Sequence, residues 1–181
     1  VQVAPLHEQS EQVKALIKLS NYKIAYYSDN NKLTVFDLKL NSILTTLSGL
    51  TANQNTFQAS LVLSDNEIIT FDEEVGICDI WILNGTGHRE PIILGDHPVK
   101  VKLLQGDCLY LGFDTGTVMA VDCRQRVILW QQDKCLSAVS PEISVAVTAM
   151  ALNTKTNNLL VGFANGVVVA LGGGVVGDMA G

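Results

Sequence analysis

Four stretches of the chain repeat one rhythm of apolar runs and polar breaks. They read VKALIKLSNYKIAYYSDNNKLTVFDLKLNSILTTL, FQASLVLSDNEIITFDEEVGICDIWILNGTGHREPIIL, VKVKLLQGDCLYLGFDTGTVMAVDCRQRVILWQQ and VTAMALNTKTNNLLVGFANGVVVALGGGVVGDMAG. Each opens with an apolar run ending at a leucine: Leu19, Leu63, Leu104 and Leu152. A polar break follows, then a second run ending at Tyr27, Phe71, Phe113 or Phe163. A tight polar turn comes next, with Asn31, Gly76, Gly116 and Gly166 at the equivalent place, 45, 40 and 50 residues apart. The third run ends five residues on, at Phe36, Trp81, Val121 and Leu171. Short apolar runs rich in β-branched residues, bounded by Asn, Asp and Gly, predict strands joined by hairpins. Runs such as LYLGF and GVVVAL do not alternate, which predicts burial on both faces. Residues 8–19 allow a short helix, but VKALIKL falls in the repeat frame and is read as a strand.

Strands recurring every 40–50 residues predict an all-β protein of propeller blades. The frame divides the chain into a lead-in (1–11) and blades at 12–54, 55–95, 96–141 and 142–181, the last with a glycine-rich end. Over residues 12–171 the repeats resemble the WD40 family. Asp37 in VFDL and Asp122 in MAVDC match the family's Asp, and Trp81 in DIWIL its Trp. His97 in LGDHPVKV falls where the family has Gly-His. The resemblance implies a network of that histidine, the turn Asp and the Trp. Blade three offers His97 and Asp114 but has Val121 in the Trp place. It also implies a ring of more than four blades, so another chain, or more of a longer parent chain, is expected to complete the propeller.

The tail ALGGGVVGDMAG separately resembles the NAD-binding glycine loop of dehydroquinate synthases. That resemblance implies Gly172, Gly173, Gly174 and Gly177 against the cofactor, with Asp178 beside cofactor or substrate. A pyrophosphate site needs the N-terminus of a following helix, and neither that helix nor a preceding βαβ pattern is legible. In the repeat frame the same glycines form a bend into a fourth strand. The expectation is therefore no cofactor, with an NAD-binding fragment as the alternative.

Composition narrows the function classes. Hydrophobic residues make up 48% and charged residues 17%, which argues for a packed core. The net charge of −6 and the scattered basic residues argue against nucleic acid. No apolar run is long and unbroken enough to predict membrane insertion. Cys78, Cys108, Cys123 and Cys135 lack metal spacing and read as buried, reduced thiols of an intracellular protein, cytoplasmic or nuclear. His7, His88 and His97 form no ligand pair, and no serine-nucleophile motif is present.

The expected function is a non-catalytic protein-interaction scaffold, a subunit among other protein subunits. Contacts are expected in loops that differ between repeats: LTANQNT, DEEVG, LNGTGHRE and DKCLSAVSPEIS. The candidate contact residues are Asp72, Glu73, Glu74, His88 and Arg89. Trp130, ending a fourth strand, is a further candidate at a rim, although a buried indole is the commoner case.

Overall fold

A computed structural model describes residues 5, 11–50, 54–72, 76–85, 88–95, 97–133, 135 and 144–172, without the side chains of 54, 55 and 88. The fold is all-β, in four antiparallel sheets that follow one another along the chain. Sheet 1 holds β1 (Val13–Lys18), β2 (Lys23–Ser28), β3 (Lys32–Asp37) and β4 (Ser42–Leu47). A helical turn, α1 (Gln54–Gln58), leads to sheet 2: β5 (Leu61–Ser64), β6 (Glu67–Asp72), β7 (Ile77–Ile82) and β8 (His88–Ile93). Sheet 3 holds β9 (Val99–Gln105), β10 (Cys108–Phe113), β11 (Val118–Asp122) and β12 (Val127–Gln132). Sheet 4 holds β13 (Val147–Asn153), β14 (Asn158–Phe163) and β15 (Val168–Leu171). Every sheet runs in sequence order.

The turn chemistry explains the hairpins. Asn31, Gly76, Gly116 and Gly166 all have positive φ, at 59°, 62°, 81° and 85°. Asn and Gly tolerate that region at low steric cost. A second device appears in three other hairpins. Asp37 Oδ1 accepts from the Lys39 and Leu40 amides, both at 2.8 Å. Asp122 Oδ1 accepts from Arg124 and Gln125 (2.8 and 2.9 Å), and Asn153 Oδ1 from Lys155 and Thr156 (3.1 and 3.3 Å). Four residues beyond each stands a left-handed residue: Asn41, Arg126 and Asn157. A side-chain acceptor holds each turn shut where backbone partners run out.

Two details differ from the sequence reading. The Asn31, Gly116 and Gly166 amides donate to the carbonyls of Ser28, Phe113 and Phe163. Ser28, not Tyr27, therefore occupies the place of Phe113, and the Tyr27 ring packs against Phe57 of α1 instead. FQASLVL is not one strand: Phe57 sits in α1, fully buried, and β5 is only four residues long.

The chain forms two compact units, residues 1–72 with 78–91 and residues 73–77 with 92–181. In the first, Ala15, Ile17, Ala25, Tyr27, Leu33 and Val35 of sheet 1 pack with Phe57, Ile68, Trp81 and Leu83. The Phe57 ring lies 4.6 Å from Tyr27 and 5.5 Å from Trp81, centroid to centroid, within the range of favourable aromatic pairs. In the second, Cys108, Tyr110, Val118 and Ala120 of sheet 3 pack with Val147, Leu159, Val161 and Phe163 of sheet 4.

Candidate functional site

Sheet 4 uses only one of its faces in that core. The register aligns Ala149, Gly162 and Val168 across its strands, and likewise Ala151, Leu160 and Ala170. These six residues share the face turned away from Leu159 and Val161. Five of them are exposed, Val168 at 69% and Leu160 at 38%, and Gly162 is half-buried. None carries charge or a side-chain polar group. Among the described residues, β15 pairs on one side only.

A pocket of about 510 Å³ opens in the second unit where the loops meet sheet 3. Leu94, Phe113 and Met119 make its apolar floor, and all three are buried. Thr115, Thr117, Gln131, Asp133, Ser144 and His97 line the rest. Asp133 is exposed but fixed in place. Its Oδ1 accepts from Gln131 Nε2 at 2.6 Å and from Thr117 Oγ1 at 3.4 Å. Thr115 Oγ1 donates to Thr117 Oγ1 at 3.1 Å, and Ser144 Oγ donates to the Thr115 carbonyl at 2.8 Å.

Sheet 2 holds a buried indole hydrogen bond, without the histidine and turn aspartate of the expected network. Trp81 Nε1 donates to Thr70 Oγ1 at 2.7 Å, and Thr70 is fully buried. In sheet 3, His97 is exposed at the pocket, and the buried Asp114 Oδ1 has no hydrogen-bond partner among the described residues. Thr70 carries no motif of its own in the sequence; its pairing with Trp81, eleven residues away, arises only across the strands.

The candidate contact residues fall in different settings. Asp72 is exposed at the end of β6. Glu73, Glu74, Gly173, Gly174, Gly177 and Asp178 lie outside the described residues, and Gly172 is exposed just past β15. His88 and Arg89 belong to β8, not to a loop. Arg89 stacks over the Trp81 ring at 5.7 Å and stands 3.5 Å from Asp79 Oδ1, an ion-pair distance without hydrogen-bond geometry. Burial raises the Asp79 carboxyl above its usual range; Arg89 opposes the shift and Asp72 adds to it. Trp130 is half-buried, packed on the second core with its ring 6.4 Å from Tyr110. Cys78, Cys108 and Cys123 are buried, Cys135 is half-buried, and none of the four is in a disulfide. Among the described residues, no cluster of His, Cys, Asp and Glu is placed to hold a metal ion, and no helix is long and apolar enough to cross a membrane.

No protein-family model matches the sequence, and no curated protein sequence matches it. Solved structures do resemble it. The C-terminal WD40 domain of Sif2 superposes with a TM-score of 0.60 at 14% identity, over 92% of this chain and 48% of that one. The β-propeller domain of Myceliophteria thermophila Cps50 (Swd1) gives 0.54 at 14% identity, over 87% and 51%. The chain is built of WD40-like propeller blades. The computationally designed Ika4 protein also matches, with a TM-score of 0.57 at 15% identity, over 92% of this chain and 94% of that one. The blades thus span about half the length of the Sif2 and Cps50 chains and nearly all of the designed one. At these identities the likeness is one of fold.

Proposed function

We propose that this chain is a non-catalytic protein-interaction scaffold, a propeller segment that works within a larger complex of protein subunits. The observation that supports it is the bare apolar face of sheet 4. Exposed contiguous apolar surface marks an interaction site on a folded protein. Sheet 3 suggests what belongs there. A Cβ added at Gly112 would lie 2.5 Å from Val147 Cγ1, and one at Gly116 would lie 2.7 Å from the Val145 carbonyl oxygen. Those two glycines make room for the first strand of the following sheet and its lead-in. Gly162 and Gly166 recur at the same places in sheet 4. There an added Cβ meets only Ala149 of its own sheet at 3.7 Å, or nothing within 4 Å. The occupant we assign is a further antiparallel sheet, supplied by another chain or by more of the same protein, whose first strand lays a branched residue across Gly162. The half-length matches to Sif2 and Cps50 suit that reading.

The face is uncharged and the whole chain is acidic, so neither nucleic acid nor an anionic membrane is a fitting partner. Buried thiols held outside disulfides suit a reducing, intracellular setting. The experiment is maleimide labelling of Ala170→Cys, once in the purified chain and once in the protein expressed in its own cells. The cysteine should label rapidly in the first and be protected in the second. Equal rapid labelling in both would remove the proposal.

A further inference from the structure

We infer that the pocket at the loop end of sheet 3 binds the cationic side chain of an arginine or lysine from a partner protein. The inference rests on the scaffold reading only in taking that side chain from a protein. What argues for a cation is the direction of the hydrogen bonds. The Thr115 hydroxyl proton goes to Thr117, the Thr117 proton to Asp133, and the Ser144 proton to a backbone carbonyl. One Gln131 amide proton also goes to Asp133. These hydroxyls have thus committed their protons to partners within the protein, and each keeps a lone pair for a further donor. Asp133 lines the same pocket, and its carboxylate has accepting capacity beyond the two bonds at Oδ1.

A carboxylate with hydroxyl acceptors beside it suits a group that only donates. Guanidinium and ammonium are the protein side-chain groups of that kind. The floor of Leu94, Phe113 and Met119 suits the methylene stem of the same side chains, which pack on apolar surface while the head stays polar. The two donors on Oδ1 fix the carboxylate, so less conformational freedom is lost on binding. The volume of about 510 Å³ lies within the usual span of ligand pockets. The chain's charge of −6 favours the approach of a basic partner.

The test titrates the isotopically labelled chain with the capped peptide acetyl-Gly-Arg-Gly-amide, its lysine analogue and its citrulline analogue, followed by NMR. Arginine and lysine peptides should give saturable shifts at the Gly95, Thr115, Thr117 and Gln131 amides. Citrulline keeps the shape and loses the charge, so it should bind at least about tenfold more weakly, as should the arginine peptide to Asp133→Asn. Asp133 is exposed, so that variant keeps the fold. Arginine binding that persists in Leu160→Glu/Val168→Lys supports the pocket independently of sheet 4. Equal affinity for citrulline, equal affinity in Asp133→Asn, or no arginine-dependent shift in a chain that still associates through sheet 4 overturns the pocket. The last result leaves the scaffold reading in place.

Discussion

β10 reads CLYLGF and β14 reads NLLVGF; β11 reads VMAVD and β15 reads VVAL. All six residues of β10 are buried, and so are the first four of β11. β14 instead alternates between buried and open positions, and no residue of β15 is buried. Two strand pairs of nearly equal hydrophobicity thus sit in different surroundings. A run without alternation encodes burial on both faces. Sheet 3 has that burial, and sheet 4 has half of it. Glycines at 112 and 116 are pressed by the neighbouring sheet, while those at 162 and 166 are not. Among the described residues that face of sheet 4 has no covering sheet, and the proposed assembly role rests on this difference.

Matched substitutions give the largest expected effects. Gly112→Ala drives a methyl into Val147, a stiff, buried side chain, and should cost about 1–3 kcal/mol. In a chain of this size that lowers the Tm by roughly 2–12 °C. Gly162→Ala should stay within about 0.5 kcal/mol of the parent. Equal losses at the two sites, measured by thermal melts, would erase the contrast. A smaller gap is expected between Gly116→Ala and Gly166→Ala. Both substitutions meet the penalty of positive φ, but only Gly116 also meets a backbone oxygen, which cannot swing aside.

A gentler effect comes from pH. Burial pushes the Cys123 thiol up to about 12 and also raises Cys108. Unfolded thiols ionise near pH 8.5. The folded state then holds protons that the unfolded state releases, so stability is complete below about pH 8.5 and declines as pH rises toward 12. The Tm should be flat from about pH 7 to 8 and fall by pH 10.5, with a shallower fall in Cys123→Ala. An unchanged slope in that variant would place the titrating groups elsewhere. The smallest effect is kinetic. Disulfide-exchange reagents should reach Cys135 first and leave Cys78, Cys108 and Cys123 unmodified until the chain is unfolded.

The repeat was legible in the sequence because its markers are local. Asn and Gly at the positive-φ turns, and Asp37 and Asp122 at the later hairpins, work through their own backbone and need no distant partner. Phe57 was misplaced because its burial comes from Tyr27 and Trp81, which are remote in sequence. The internal partners of Arg89 were hidden for the same reason, since Trp81 and Asp79 meet it only across the sheet. The pocket left no local trace. Asp133 and Thr117 lie sixteen residues apart, and hydrogen-bond direction is not written in residue type. The glycine tail was judged through the hairpin frame. Gly172 stands where Asp37 and Asp122 supply the acceptor, and residues 173–181, where a fourth strand is expected, lie outside the described residues.

The central claim is that the outer face of sheet 4 is an assembly surface. Sedimentation velocity across micromolar concentrations, on the chain and on Leu160→Glu/Val168→Lys, tests it most directly. The account predicts concentration-dependent association of the parent chain through its uncovered face, and a monomeric double variant with an unchanged circular dichroism spectrum. A parent chain that sediments as a monomer throughout, indistinguishable from the double variant, would contradict it.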